Sequence, residues 1–355
     1  MKETKKRILI IGINFSPELT GIGKYTGEMA AWLADNGFEV TVITAFPYYP
    51  NWKVQEPYSN RFYKKELSHD GNLKVLRCPM WVPAKPSGLK RIIHEATFFL
   101  SASIMLFAQL FRKKHDQVFC IAPPFHLGFL ALLYKWLRGA KVNYHIQDLQ
   151  IEAAKDLKVI KANWVFTLLF KMEKFILKRV SSISSISVGM NRKIQAKTGK
   201  DVILFPNWVD TVKFHPLDNR NSLKTKWQFK EDEKIVLYSG SIGEKQGLDA
   251  LLDIAEEIKT ENKIRIVICG TGPYKEKLQL KVKERQLKNI SFLPLQPMET
   301  FNEFLNMADV HLVLQKAEAA DLVMPSKLTT ILAAGGLSIS TAFPGTSLYD
   351  VIYQY

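Results

Sequence analysis

Three glycine-bearing turns stand where strand-like runs hand over to helix-like ones, and they are the segments best suited to hold an anion. NFSPELTGIGKYTGEMA follows the first run, SGSIGEKQG spans 239–247 and GTGP spans 270–273. Without a Cβ, glycine lets backbone N–H groups approach a phosphate or sugar, and the next helix adds its positive end. Gly21 and Gly23 serve the first turn. In the second, the amides of Gly240 and Ser241, with Lys245 and Gln246 beside them, suit a diphosphate. Gly270 and Gly272 form the third. Two of these turns in the second half point to a nucleotide bearing a diphosphate. Tight turns demanded only by packing are the competing reading for each. The first turn is not GxGxxG, and Thr44, Ala45 and Phe46 stand where a ribose-binding acid would close the second strand. A nicotinamide dehydrogenase is therefore disfavoured.

The elements that position these turns alternate. Strand patterns cover 7–15, 38–46, 117–123, 140–148, 181–187 and 201–207, with helical patterns at 26–37, 127–139 and 164–180 between them. The alternation restarts with strands at 233–241, 263–272, 290–295 and 309–315 and helices at 247–260, 274–285 and 299–307. Such a pattern predicts an α/β protein with a parallel sheet in each half. The loop-like PNWVDTVKFHPLDNRNS places the boundary at about 207–228. Two facing, doubly wound Rossmann-like domains, 1–207 and 208–355, are expected. Ligands bind such sheets beyond the carboxyl ends of the strands, where the turns lie.

Composition narrows the class. With 355 residues and 47% apolar content the chain can bury two sizeable cores. Its three cysteines, Cys78, Cys120 and Cys269, fit neither a disulfide framework nor a zinc motif and suggest a reducing compartment. The opening MKETKKRILIIGINFSPE reads as a first strand and not as a signal peptide. Charge is lopsided: residues 1–210 hold 31 Lys/Arg against 16 Asp/Glu, and residues 211–355 hold 18 of each. A partner of the first half should be anionic. Nucleic acid is disfavoured, because no recognition motif accompanies the charge. An anionic membrane fits better. ATFFLSASIMLFAQLF (96–111), flanked by Lys85, Lys90, Arg91 and Arg112–Lys114, is short for a bilayer span and reads as an interfacial helix. Residues 164–180 form a second candidate. If the first segment meets lipid, Phe98, Phe99 and Phe107 should face outward; the alternative is that both segments are core helices with basic faces.

TGIGKYTGEMAAWLADNGFEVTVIT, PPF (123–125), HIQDLQIEAA (145–154), FPNWVDTVKFHP (205–216), YSGSIGEKQGLDALLDIA (238–255), GTGP, MADVHLVLQ (307–315) and MPSKLTTILAAGG (324–336) occur in this order. Together they resemble the GT-B glycosyltransferases of retaining family 4, in the group that builds exopolysaccharides such as colanic acid. The resemblance covers nearly the whole chain. It departs from the family at the paired carboxylates separated by seven residues, where Leu322 and Thr330 stand, and at the basic turn, where Ser241 and Gln246 stand. Lys327, after Met-Pro-Ser and before a helix, is expected to supply part of that charge next to Ser326; a plain surface lysine is the alternative. Family members continue beyond SLYDVIYQY, so a C-terminal truncation is expected, with TAFPG (341–345) as the last strand.

The resemblance implies transfer of a sugar from a nucleotide diphosphate sugar, GDP-fucose or a UDP-sugar, to a polyprenyl-diphosphate-linked acceptor. It implies no metal and no other cofactor, and an enzyme attached peripherally to the cytoplasmic face of the plasma membrane. Such an enzyme must stabilise the charge growing on the diphosphate and hold the acceptor hydroxyl close. Asp148, ending a strand, and Glu152, four residues on, are the acids expected to orient or deprotonate that hydroxyl. A helix N-cap is the other reading of Asp148. His126, beside PPF, is a weaker candidate in the acceptor half, and His145 reads as a core histidine. The missing carboxylates keep a second class open: a catalytically impaired nucleotide-sugar or polyanion binding protein.

Overall fold

The apolar runs Ile8–Ile11 and Val40–Ala45 are buried at every position. A strand buried on both faces belongs inside a parallel sheet covered by helices on each side. The computed structural model describes residues 5–19, 21–156, 163–314 and 325–354. The chain divides into two compact units, Met1–Pro206 and Asn207–Tyr355.

Unit 1 runs β1 (Arg7–Ile11), α1 (Gly21–Asp35), β2 (Glu39–Ala45), β3 (Lys64–Ser68), β4 (Leu73–Cys78), α2 (Gly88–Leu110), β5 (Gln117–Ala122) and α3 (Leu127–Arg138). It continues through β6 (Lys141–Ile146), α4 (Gln150–Asp156), α5 (Asn163–Arg179), β7 (Ser182–Ser185), α6 (Val188–Thr198) and β8 (Val202–Leu204). The eight strands lie in the order β3-β4-β2-β1-β5-β6-β7-β8. All neighbours are parallel except β3 and β4. Ile8 of β1 pairs with Val40 on one side and Gln117 on the other, so the winding reverses at β1. The crevice of unit 1 therefore opens beyond the carboxyl ends of β1, β5 and β6.

Unit 2 runs α7 (Arg220–Leu223), β9 (Lys234–Ser239), α8 (Ala250–Glu257), β10 (Ile264–Cys269), α9 (Lys275–Glu284), β11 (Ile290–Leu293) and α10 (Met298–Asn306). It ends with β12 (Val310–Val313), α11 (Lys327–Ala333), β13 (Ser338–Ser340) and α12 (Ser347–Gln354). Its five strands are parallel in the order β11-β10-β9-β12-β13. Here β9 is the strand where winding reverses, which places SGSIG at the switch point.

The structure adds elements to the sequence pattern and moves one of its strands. β3 and β4 lie in a stretch with no strand expectation, and of the two β3, KKELS, is polar, exposed and at the sheet edge. Lysines on an edge strand oppose pairing with another chain. The helix α6 is polar and carries little amphipathic signal. α2 starts eight residues before the apolar run, giving 23 residues. The last strand is not TAFPG: β13 stops at Ser340, whose partner Val313 ends β12, and Thr341 adds only one further N–H bond to Val313 O.

α2 is apolar on both sides. His94, Phe98, Ala102, Leu106 and Gln109 face the sheet, while Leu89, Ile92, Leu100, Ile104 and Phe107 face solvent. It is long and apolar enough to cross a membrane, yet one side packs into unit 1. The expectation that Phe98 faces outward is corrected: its ring is 0% exposed, whereas Phe107 is 61% exposed. Phe98→Ser is expected to lower stability in urea by about 3–5 kcal/mol, as for deletion of a buried aromatic ring. Phe107→Ser should change it by less than about 0.5 kcal/mol.

Candidate functional site

In unit 2 the chain leaves β9 through Gly240 at φ 151, a backbone angle that L side chains rarely adopt. A Cβ built there would stand 3.2 Å from the Lys327 Nζ. Lys327 opens α11, and its ammonium sits 3.7 Å from the Tyr238 ring centroid. It is buried, and no described residue accepts a hydrogen bond from it. Burial pushes the ammonium down to about 7. The negative face of the Tyr238 ring offsets part of that cost. The Tyr238 hydroxyl donates to the Ser241 carbonyl at 2.6 Å, so one buried tyrosine supports both the lysine and the turn.

Two further glycines of unit 2 answer to packing. Gly270 and Gly272 adopt φ 153 and 157. A Cβ on the first would overlap the Gly240 carbonyl and one on the second the Ile242 carbonyl. Gly240 N–H donates to Cys269 O and Ile242 N–H to Thr271 O, each at 2.9 Å. Gly270 N–H donates to Leu293 O, and Gly243 N–H donates to Gln246 Oε1 at 3.1 Å. The amides expected to cradle a diphosphate are thus largely committed within the protein, and Gln246 closes the turn. The exposed Ser241 and the buried ammonium of half-buried Lys327 remain to meet an anion. Ser326 precedes Lys327, and its carbonyl accepts from Thr329 Oγ1 at 2.8 Å. Thr330 lies on α11. The Lys245 side chain and Leu322 lie outside the described residues.

In unit 1 a buried carboxylate that the sequence reading passed over organises the first turn. Glu18 Oε1 accepts from Tyr48 N–H at 3.0 Å and Tyr49 N–H at 2.9 Å, and Oε2 accepts from Asn14 Nδ2 at 2.9 Å. Burial pushes the carboxyl up, against the pull of those three donors. A Cβ at Gly23 would overlap Glu18, so Gly23 makes room for this carboxylate; Gly21, at φ 63, faces the Tyr49 ring.

The acids sort differently from expectation. Asp148 lies two residues beyond β6, half-buried, and its charge together with those of Glu18 and Arg91 acts on the Tyr49 hydroxyl. Glu152 is ion-paired with Lys197, which also holds Glu173 at 2.7 Å. Its carboxylate anchors α4 to α5 and α6. Gln150 instead links the loop to a different acid. Its Nε2 donates to Glu95 Oε1 at 2.8 Å and its Oε1 accepts from Phe125 N–H at 3.1 Å. Burial pushes Glu95 up to about 7, opposed by the Gln150 bond and Arg91. Glu95 had a legible signal: it is the single carboxylate of α2, directly before the apolar run.

His126 sits beside this group with its ring 5.3 Å from Phe99 and 5.7 Å from Phe125. Its Nε2 is buried without a hydrogen bond among the described residues, and burial pushes the imidazole down. His145 bonds Ser184 Oγ at 2.9 Å and is pushed down to about 4 by burial, the behaviour of a neutral core histidine. Gln150 thus joins Glu95 to the Phe125 amide next to His126, and the Asp148 charge reaches Tyr49, while Glu152 is held by the Lys197 pair.

Comparison with known proteins agrees with this architecture. Residues 20–208 match the family model of a glycosyl transferase 4-like domain, and residues 219–349 match that of glycosyl transferases group 1. The chain is 43% identical over 349 residues to the protein named colanic acid biosynthesis glycosyl transferase WcaI of Escherichia coli strain K12, covering 96% of this chain and 84% of that one. Sucrose-phosphate synthase of Thermosynechococcus elongatus is similar with a TM-score of 0.72 at 14% identity, over 96% of this chain and 82% of that one. Anabaena HepE, solved with UDP-glucose, gives 0.61 at 11% identity, over 98% and 89%. Identities that low speak only for the fold, which is the GT-B class built of two Rossmann-like units. Both units matched by transferase families, and a relative of this identity along nearly the full length, make the chain a member of the family 4 glycosyltransferases of GT-B fold.

Proposed function

We propose that the chain is a retaining transferase moving a sugar from a nucleotide diphosphate sugar, GDP-fucose or a UDP-sugar, to a polyprenyl-diphosphate-linked oligosaccharide. The exopolysaccharide assignment follows the name of the Escherichia coli relative. The observation that carries the donor half is the Lys327 ammonium, buried and without a hydrogen bond among the described residues, beside the Gly240 turn. As the bond to the diphosphate breaks, negative charge grows on the leaving group. A cation in a site poor in water stabilises that charge far more than one in bulk solvent. Tyr238 holds the ammonium in position, so little reorganisation is needed when charge develops. Ser241 and Ser326 flank the same place in the chain.

The acceptor half rests on unit 1. Asp148 orients or deprotonates the acceptor hydroxyl, with Glu95 linked to the same loop through Gln150. Glu152 supports the loop through its pair with Lys197. The outer side of α2, with Arg112, Lys113 and Lys114 at its end, fits the cytoplasmic surface of an anionic membrane, where a lipid-linked acceptor resides. A catalytically impaired nucleotide-sugar binding protein is the second reading, favoured by Thr330 standing on α11 where the family carries a carboxylate. Turnover of donor in the presence of a lipid-linked acceptor separates the two.

Lys327 yields a test with two readouts. An uncompensated buried cation lowers stability, so Lys327→Met should stabilise the free protein, by about 1–4 kcal/mol on the scale of other buried-charge replacements. The folded protein holds this ammonium near 7, below its ordinary 10.5. The penalty is therefore full below pH 7 and fades as pH rises towards 10.5, and the advantage of the variant should fade with it. GDP or UDP should raise the melting temperature of the parent protein, less so as pH rises above 7, and should do little for the variant. An unchanged nucleotide response in Lys327→Met would remove Lys327 from the donor site.

Asp148→Asn should lower sugar transfer by about 100-fold or more, the scale of a lost acid–base group, with nucleotide binding nearly intact. Loss of nucleotide binding or of cooperative unfolding would assign Asp148 a structural role. The membrane assignment predicts sedimentation with anionic phosphatidylglycerol vesicles, partial release at high salt and no binding to neutral phosphatidylcholine. Replacing Leu100, Ile104 and Phe107 together with Ser should abolish sedimentation without lowering the melting temperature. Retained binding would direct the lipid contact to another surface.

A further inference from the structure

Unit 1 contains a groove of about 540 Å³ that the donor and acid groups do not use. That volume lies within the range of ligand sites, roughly 300–1,000 Å³. Its walls are two indoles, Trp52 and Trp81, with Asn51 and Lys53 at the rim and Val54 and Val82 at the base. We infer that this groove is a saccharide-binding subsite, which holds a pyranose unit of the acceptor glycan against the Trp52 and Trp81 rings. The inference rests on the proposed function in one respect, that a glycan acceptor enters unit 1.

The Trp52 ring and the Trp81 backbone are fixed before any ligand arrives. Trp52 adopts φ 52, a left-handed angle that is an outlier for a bulky residue and persists only where the surroundings determine it. Its ring meets Tyr48 edge-to-face at 5.5 Å and His94 at 5.2 Å, and the Arg91 guanidinium lies 5.3 Å from its centroid. The loop is closed by Lys53 N–H donating to Tyr48 O and Gln55 N–H donating to Pro47 O. On the other wall, Trp81 N–H donates to Thr97 Oγ1 at 3.1 Å and its carbonyl accepts from His94 Nδ1 at 2.6 Å. Buried His94 thus ties the Trp52 ring to the Trp81 backbone. Asn60 bridges to the Met80 backbone with both ends of its amide, its Oδ1 accepting from Met80 N–H at 3.0 Å.

A sugar suits this chemistry better than a lipid chain. A pyranose ring offers C–H bonds on one face, which pack on indole, and hydroxyls round its edge, which meet amides and cations. Indole combines a large apolar face with a polar N–H and loses little conformational freedom on binding. The rim supplies Asn51, Lys53 and Arg91, all exposed. Trp52 is half-buried with its ring braced on Tyr48 and His94, unlike a side chain projecting to insert among acyl chains. The groove also borders the acids: Tyr48 packs on Trp52, lies within reach of the charges of Glu18 and Glu95, and has its N–H held by Glu18. A saccharide seated here directs its end towards the Glu95 and Asp148 group.

The test uses the full chain and soluble probes: cellobiose, lactose and methyl α-L-fucopyranoside at millimolar concentration, followed by saturation-transfer NMR. At least one probe should bind the parent protein, with Trp81→Ala weakening it by about tenfold. Trp81 is 43% exposed, so its removal should leave the melting temperature and the response to GDP or UDP unchanged. Trp52→Phe, which keeps a ring, should retain more binding than Trp52→Ala. Absence of saturation transfer from every probe would overturn the inference, as would binding indifferent to Trp81→Ala. Loss of vesicle sedimentation in Trp81→Ala with saccharide binding intact would assign Trp81 to the membrane face and also overturn it. A parent protein that binds saccharide but no nucleotide would sink the donor assignment alone, so the two failures are distinct.

Discussion

A buried ammonium without a hydrogen bond among the described residues is the feature on which the donor unit depends. Removing such a charge from water is costly unless the group loses its proton or finds an anion. Lys327 is held in that condition by its neighbours. The Tyr238 ring lies against it, the absent side chain of Gly240 leaves it room, and α11 brings it to the end of β9. Around it the turns are knit by backbone hydrogen bonds and by glycines with no room for a Cβ. The rigidity of the turns and the instability of the lysine belong together. A loose loop would let the ammonium escape to water, and its readiness for an anion would be lost.

Unit 1 places a charge in a similar position with the opposite result. Glu18 is 2% exposed, but three N–H donors meet its carboxylate. It ties the loop after β1 to the loop after β2 and leaves little capacity for a ligand. Satisfied, a buried charge is part of the scaffold; unsatisfied, it is poised for a partner. The same distinction separates the two acids on either side of Gln150. Glu152 has a cation and anchors a helix, whereas Glu95 has one amide and a raised affinity for its proton.

The α2 helix carries a second duality. Its inner side is ordinary core, closed by Phe98, Ala102 and Leu106, and its outer side is a row of exposed aliphatic and aromatic residues. A helix apolar all round is buried in a large core or faces a nonaqueous phase. Here only one side meets protein within the unit. The lopsided charge of the first 210 residues gives that outer side basic company.

Much of the architecture was legible in residue order. Unbroken apolar runs such as RILII and IRIVIC demand strands covered on both faces, and their alternation with amphipathic runs demands parallel sheets. The turn positions, the basic first half and the place of Lys327 before a helix followed from the same reading. β3 and α6 did not, because polar edge elements lack the periodicity that burial imposes. Side-chain commitments were not legible either. Sequence spacing puts Asp148 and Glu152 four residues apart, but only the packing of α4 on α5 and α6 turns Glu152 to Lys197. Only the crossing of α2 over the sheet brings Glu95 to Gln150, 55 positions away. Glycine in a turn is the same letter whether it admits a phosphate or a carbonyl. For Gly270 and Gly272 the tertiary structure decided for the carbonyl, because nonlocal contacts determine what occupies the space a missing Cβ leaves.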